Sequence, residues 1–121
     1  MADPNGNLDI AKRWLACFAH KDVDALVALY HPDAKHTSPK LRVQRPETGG
    51  YIVGRAAMRD WWAEAFQRLP QLEYLETSLT ANGERVFMEY LRRNPGDADL
   101  PVAEVLEIRD GLIAASRVYH G

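Results

Sequence analysis

Apolar residues recur at steps of three and four positions in the first seventy residues, which is the pattern of amphipathic helices. This spacing predicts a first helix from Leu8 to His20, preceded by a flexible terminus at residues 1–7. Asp22 is suited to cap a second helix that runs to about Tyr30. Pro32 then prevents the helix from continuing.

The next part of the chain combines a short polar stretch with a segment that breaks regular structure. Residues 34–38 alternate in polarity and predict a short strand. Residues 39–50 contain two prolines and two adjacent glycines, so we expect an extended arm or lid. A third helix is predicted from Arg55 to Leu69, because apolar residues return to helical spacing and Pro70 ends it.

Beyond Pro70 the period of the apolar positions changes to two, which is typical of strands. Hairpin turn signals separate the segments at Asn82-Gly83, at residues 94–97 and at Asp110-Gly111. The predicted strands are Leu72–Leu79, Arg85–Arg92, Val102–Arg109 and Leu112–His120. The pattern therefore predicts one α+β domain over residues 1–121, with helices first and a curved antiparallel sheet after them, enclosing a mostly apolar pocket.

Composition narrows the class of protein. The chain has 46% hydrophobic and 26% charged residues, and 15 basic against 17 acidic side chains give a formal charge of -2. We therefore expect neither nucleic acid nor a membrane as a partner. Cys17 is the only cysteine, so no intramolecular disulfide can form. With no apolar run near the start, a cytoplasmic location is the expectation.

Three segments of the sequence resemble the nuclear transport factor 2-like superfamily, in particular its SnoaL-like and ketosteroid isomerase-like members. They are LACFAHKDVDALVALYHPDAKHTSP, VGRAAMRDWWAEAFQRLP and VLEIRDGLIAASRVYHG, in this order. The resemblance implies a cone-shaped, cystatin-like fold in which three helices close a strongly curved sheet around a pocket. It also implies a homodimer formed through the outer face of the sheet.

The resemblance further implies where chemistry would occur. Ketosteroid isomerases place a tyrosine, an acid and a proton-shuttling aspartate at positions that match Trp14, Glu104 and Ser38 here. A serine cannot act as a general base near neutral pH, so the isomerase mechanism lacks its central group. The same superfamily also contains cyclases, hydrolases, dehydratases and proteins with no known reaction.

Glu104 interrupts the apolar positions of its predicted strand, so its surroundings decide its role. A two-residue turn at Asp110-Gly111 would place it opposite Arg117 as an ion pair. A three-residue loop would instead give it a common face with Ser116, Val118 and His120. A buried carboxyl without a cationic partner would have a raised pKa and stay protonated.

His36 and Ser38 lie two residues apart in a predicted strand and therefore face the same way, which the resemblance implies is inward. Histidine titrates near neutrality, so His36 is the candidate partner of Glu104 in acid–base catalysis. The alternative is a hydrogen-bonded wall histidine. The candidate ligand-binding residues, which could also be core, are Trp14, Phe18, Tyr30, Ser38, Trp62, Met88, Tyr90, Val118 and His120.

Other motifs give weaker indications. Arg42 and Arg45 could hold a ligand carboxylate or could be solvated charges on a loop. No histidine pair has the spacing of a metal site on a helix, and no glycine loop could hold a nucleotide, so neither metal nor cofactor is expected. Three functions follow as hypotheses: an enzyme acting on a small apolar molecule, a module that binds such a molecule unchanged, or a dimeric interaction domain.

Overall fold

The computed structural model describes residues 4–121, and its first helix, α1, comprises Pro4–His20. This helix begins four residues before the predicted start at Leu8. Asn7 is buried, and its Nδ2 donates to the carbonyl of Asn82 at 2.9 Å, which fixes the first turn. Residues 4–7 are thus helical rather than a flexible terminus, and residues 1–3 lie outside the described part of the chain.

Helix α2 comprises Val23–Ala28 and starts as the sequence predicts. The Oδ1 of Asp22 accepts a hydrogen bond from the backbone N–H of Ala25 at 3.0 Å. The predicted end near Tyr30 is wrong, because strand β1 already begins there and extends over Tyr30–Thr37. The cavity-facing end of this strand carries His36.

The segment predicted as an extended arm is instead largely helical. Helix α3 comprises Pro39–Gln44, and a single 3-10 turn follows at Pro46–Thr48. Pro39 does not break the helix because it occupies the first turn, where the backbone N–H that proline lacks needs no partner. The short strand β2, Tyr51–Val53, comes next.

Helix α4 comprises Arg55–Arg68 and ends one residue before the predicted Leu69. Its buried side chains are Met58, Trp61, Trp62 and Phe66. The described chain therefore has four helices rather than three. In residues 4–121, no helix combines the length and apolar character needed to cross a bilayer.

Six strands form one curved, unclosed sheet in the order β2-β1-β6-β5-β4-β3. The later strands are β3 Glu73–Ala81, β4 Arg85–Arg93, β5 Leu100–Arg109 and β6 Leu112–His120. Strands β1 and β6 pair in parallel and the other neighbours are antiparallel, so the sheet is mixed. The predicted α+β cone with helices packed against a curved sheet is confirmed.

The last hairpin combines features of both predicted registers. Asp110 and Gly111 form a two-residue turn with positive φ angles of 54° and 77°, which suit the twist of the strands. An irregularity between Glu107 and Ile108 shifts the pairing by one residue, because Ala114 has no partner on β5. Glu104 consequently lies opposite Val118, not opposite Arg117.

Candidate functional site

A cavity lies between the concave face of the sheet and helices α1, α3 and α4. Its volume is about 60 Å³, enough for a few water molecules. Sites that enclose a drug-sized molecule measure roughly 300–1,000 Å³. The cavity is therefore nearly closed, and a larger ligand would require side chains at its opening to move.

Aromatic rings form most of the inner wall. Phe18 contacts both Trp14 and Tyr74, with centroid separations of 4.3 and 4.5 Å, and these two rings lie 5.9 Å from each other. Tyr74 in turn stacks on Tyr90 at 4.3 Å. These rings bury an extended apolar surface at one end of the cavity, which suits a flat apolar group.

Glu104 is the central polar group of this wall. Its side chain is 1% exposed, and its Oε1 accepts a hydrogen bond from the hydroxyl of Tyr90 at 2.9 Å. Its Oε2 is buried with no hydrogen-bond partner among residues 4–121. Burial raises the pKa of this carboxyl from 4.5 to about 8, although the hydrogen bond from Tyr90 partly opposes the shift.

The protonation of Glu104 determines what it can do. With a pKa near 8, the carboxyl is predominantly neutral at pH 7. Because Tyr90 donates to Oε1, the acidic hydrogen belongs on Oε2, the oxygen without a partner. Glu104 is thus a hydrogen-bond donor without an acceptor among residues 4–121. The alternative prediction of an ion pair between Glu104 and Arg117 is wrong, because Arg117 pairs with Glu107.

A second polar group of the cavity, His36, ends a buried chain of hydrogen bonds. The indole N–H of Trp14 donates to the hydroxyl of Tyr30 at 3.1 Å, and this hydroxyl donates to Oγ of Ser116 at 3.0 Å. Ser116 Oγ lies 2.7 Å from Nδ1 of His36. Tryptophan can only donate, so Tyr30 accepts from Trp14 and donates to Ser116. Among residues 4–121 the hydroxyl hydrogen of Ser116 then has no acceptor other than Nδ1, so the arrangement that satisfies every group has Ser116 donating to His36.

This chain fixes the state of the imidazole. Burial lowers the pKa of His36 from 6.5 to about 3, so the ring is neutral at physiological pH. Its hydrogen then belongs on Nε2, which has no hydrogen-bond partner in the described chain. The expectation that His36 titrates near neutrality is therefore wrong, because the ring is 2% exposed and has no carboxylate beside it.

Ser38 lines the cavity but has a structural partner. Its Oγ accepts a hydrogen bond from the backbone N–H of Lys40 at 3.2 Å and so caps α3. Ser38 is consequently the last residue before the helix rather than part of the strand that carries His36.

The other predicted ligand-binding residues divide into two groups. Trp14, Phe18, Trp62, Tyr90, Val118 and His120 line the cavity. Tyr30 and Met88 do not, which corrects their predicted placement. Both are fully buried in the core, Tyr30 within the hydrogen-bond chain and Met88 opposite Glu104 on the neighbouring strand.

Three cationic residues that were not predicted from the sequence line the same cavity: Lys40, Arg68 and Arg92. Arg92 continues the inward positions Met88 and Tyr90 along β4, so the period of two could have placed it. Lys40 could not be placed, because the helix that carries it was not predicted.

Neither arginine predicted as a possible carboxylate clamp lines the cavity. Arg45 donates to Asp60 at 3.1 Å and to Glu64 at 2.6 Å, and it lies over the ring of Trp61. It therefore attaches the segment after α3 to α4. The side chains of residues 4–121 also include no cluster of histidine, cysteine or carboxylate groups that could hold a metal ion.

Comparison with known proteins places this geometry in context. Residues 11–116 match the family model of the SnoaL-like domain. A SnoaL-like protein of unknown function from Burkholderia thailandensis has a TM-score of 0.87 and 18% identity, with 98% of this chain and 97% of that chain covered. Among the curated proteins there is no match.

Two further solved structures share the fold. A proposed ketosteroid isomerase from Kribbella flavida has a TM-score of 0.80 and 21% identity, covering 100% of this chain and 82% of that one. TerC, crystallised with polyporic acid, has a TM-score of 0.81 and 20% identity, and the match covers 96% of this chain and 92% of TerC. At these identities the likeness establishes the fold and leaves the reaction to be argued from the site.

Proposed function

Because this chain belongs to the SnoaL-like domain family, we propose that it binds a small, largely apolar molecule in its cavity and converts it by acid–base chemistry. Glu104 is the proton donor in this proposal. The observation that supports it most strongly is that carboxyl itself, which is buried, holds one hydrogen bond and keeps its second oxygen without a partner. An unsatisfied buried polar group costs about 1–3 kcal/mol of stability, which a functional role would explain.

The chemistry follows from the neutral carboxyl. A protonated acid in an apolar wall can donate a hydrogen bond to a carbonyl or epoxide oxygen and stabilise the negative charge that develops on it. A pKa of about 8 also lets Glu104 lose and regain its proton near physiological pH. Tyr90 holds the carboxyl in place through Oε1.

His36 has a supporting role in this proposal. Its neutral ring is a poor base, but Nε2–H is a second donor beside the cavity. The chain through Ser116 and Tyr30 fixes the tautomer, as the partners of a catalytic histidine commonly do. The ligand expected from these two donors carries oxygen atoms that accept hydrogen bonds.

The proposal can be tested with two small probes. Phenylacetone in D₂O reports exchange of its α-hydrogens by proton NMR, and styrene oxide reports ring opening to the diol. We expect Glu104→Gln to lower the rate of the accelerated reaction by about 100-fold or more, because the amide cannot transfer a proton. Glu89→Gln, on the exposed face of β4, is the matched control and should retain the rate. Unchanged turnover in Glu104→Gln would exclude the residue from the mechanism.

Binding without conversion is the second candidate, and the state of two residues favours it. Ser38 stands where the isomerases have their base, and His36 has a pKa of about 3, so neither supplies a strong base. Native mass spectrometry of the purified protein would detect a retained molecule. Its recovery unchanged after prolonged incubation would support a binding module over an enzyme.

A homodimer through the outer face of the sheet is also part of the proposal. Phe87 and Tyr119 lie on that face and are 43% and 53% exposed. Val105 lies opposite Phe87 on the neighbouring strand and is only 8% exposed, so the exposed apolar surface consists mainly of Phe87 and Tyr119. A second copy of the chain would cover these side chains.

A further inference from the structure

The opening of the cavity carries a basic rim, which we define as Lys40, Arg68 and Arg92. The three side chains come from α3, α4 and β4, and all of them line the same cavity as Glu104. They are far apart in sequence, so the fold brings them together. The inner wall is aromatic, so the cavity has an apolar end and a cationic end.

The positive charge of the basic rim is poorly compensated. Arg92 has a single carboxylate within 4.0 Å among residues 4–121, that of Asp97 at 3.7 Å, which is beyond hydrogen-bond distance. Asp97 is 54% exposed, so this contact is weak. Lys40 and Arg68 have no ion pair in the described chain, and Arg68 donates only to Oε1 of Gln44, at 3.3 Å.

Arg92 is the residue that most requires a partner. It is only 8% exposed, and its side chain ends in a guanidinium cation. The group has five N–H donors, yet none makes a hydrogen bond within residues 4–121. Its guanidinium nitrogens are not among the buried atoms without a partner, so they are accessible from the cavity, where a bound anion would supply the acceptors that residues 4–121 lack.

Burial and the nearby positive charges lower the pKa values of Lys40 and His120. Burial, followed by the charges of Arg92 and Arg68, lowers the pKa of Lys40, and the charge of Asp97 opposes this shift more weakly. Burial, followed by the charges of Lys40 and Arg92, lowers the pKa of His120. The potential at the opening is therefore positive, and Glu104 does not offset it because its carboxyl is neutral and forms no ion pair.

We propose that the ligand is an organic carboxylate, with its carboxylate held by Arg92 and Lys40 and its apolar body among Trp14, Phe18 and Tyr74. This inference rests on the proposed function, since it names the class of molecule that reaches Glu104. Most polar groups that the cavity presents without a hydrogen-bond partner among residues 4–121 are donors, namely Lys40, Arg92, Nε2 of His36 and the protonated carboxyl of Glu104, and the ring of His120 adds one donor and one acceptor. A carboxylate with a carbonyl or similar oxygen deeper in the molecule supplies acceptors at both ends.

The small free volume fits entry through this rim. Lys40 and Arg68 have long side chains without a carboxylate partner, so they can rotate away from the opening without breaking an ion pair. On return they would close over the carboxylate.

The test compares two probes of the same shape. Calorimetric or tryptophan-fluorescence titration gives the dissociation constants of 3-phenylpropanoate and 3-phenylpropanamide at low ionic strength. We expect the carboxylate to bind at least about tenfold more tightly than the amide, because charged hydrogen bonds to arginine are strong. Arg92→Met should reduce this preference to about twofold or less, and Lys40→Met, at a half-buried position of α3, should reduce it partly.

Arg93→Met is the matched control, because Arg93 neighbours Arg92 but pairs with Asp99 on the outer side. It should keep the full preference. Equal affinity of the two probes in the unaltered protein, binding of neither, or a preference that survives both Arg92→Met and Lys40→Met would overturn the inference. Lys40→Met guards against the case in which Arg92→Met fails to fold.

The same titration separates this inference from the proposed function. Glu104→Gln should lose turnover yet retain the preference for the carboxylate. If the protein converts phenylacetone or styrene oxide without any preference for the carboxylate probe, the inference fails and the proposed acid chemistry stands. If the preference for the carboxylate is present and Glu104→Gln retains full turnover, the proposed acid chemistry fails and the inference of a carboxylate ligand stands.

Discussion

Two glutamates on strand β5 show how position sets the chemistry of a side chain. Glu107 points outward, and the hydrogen bond from Arg117 lowers its pKa. Glu104, three residues earlier, points into the cavity, where burial raises its pKa to about 8. The same carboxyl group is therefore an ionised surface partner at one position and a neutral acid at the other.

The pKa of Glu104 predicts how stability changes with pH. The folded protein keeps this proton up to about pH 8, whereas the unfolded chain releases it near 4.5. Between these values the unfolded state binds fewer protons, so the free energy of unfolding falls as pH rises. His36 has the opposite effect between about pH 3 and 6.5, because its folded pKa is lowered.

Above pH 6.5 His36 no longer contributes to the pH dependence, so the loss of stability caused by Glu104 is seen alone. We expect denaturant unfolding to show that the unaltered protein loses about 2 kcal/mol relative to Glu104→Gln between pH 6.5 and 8. Glu89→Gln should follow the unaltered protein. A parallel pH dependence in Glu104→Gln and the unaltered protein would show that Glu104 is ionised in the folded state.

For Glu104 and His36, the sequence predicts the position of the side chain better than its protonation state. Glu104 breaks a run of alternating apolar residues, so its inward direction was accessible from the sequence alone. The pKa of His36 was not, because it depends on burial of the ring by distant parts of the chain, among them Trp62. Local spacing carries no information about such distant neighbours.

At the scale of elements, α3 shows how turn-forming residues can begin a helix. The pair Ser38-Pro39 suggests a break in the chain, yet serine is a favourable cap and proline fits the first helical turn. The cap also determines the site, since α3 carries Lys40 to the opening of the cavity. The prolines and glycines after it led to the prediction of an extended arm.

Removing this cap gives a test of the element. We expect Ser38→Ala to lower the free energy of unfolding by about 1 kcal/mol, because the N–H of Lys40 loses its acceptor. Ser78→Ala, at an exposed position of β3, should change it by less than about 0.5 kcal/mol. Denaturant unfolding measures both values, and equal effects of the two substitutions would contradict the capping role.

The irregularity at Ala114 marks the limit of prediction for strands. Asp110-Gly111 predicts its turn correctly, but the unpaired Ala114 then moves every later residue of β6 by one place. This shift puts Ser116 beside His36 and moves Arg117 to the outer face. Nothing in the local sequence distinguishes Ala114 from Ala115, so the register depends on packing of the whole sheet.

At the scale of the molecule, the two faces of the curved sheet have different surroundings. The helices pack against the concave face, which also forms one wall of the cavity. On the outer face, the side chains of Phe87 and Tyr119 are partly exposed. The family resemblance predicts both the cone and a dimer. The cone is confirmed, and the dimer stays a prediction.

Sedimentation analysis tests this dimer. We expect the protein to sediment at twice the chain mass of 13.7 kDa, and Phe87→Glu to sediment as a monomer, because a charge in an apolar interface is costly. Val43→Glu, at an 80% exposed position of α3, is the control and should remain dimeric. A monomeric unaltered protein would contradict the proposal.

The protonation of Glu104 is the claim on which the proposed chemistry depends most directly. Carbon-13 NMR of protein labelled at the glutamate side-chain carboxyls, with Glu104→Gln to assign the signal, measures it. The predicted result is one carboxyl that is protonated at pH 6.5 and titrates near pH 8. A Glu104 signal that titrates near 4.5, as in an exposed glutamate, would contradict a neutral acid in the wall of the cavity.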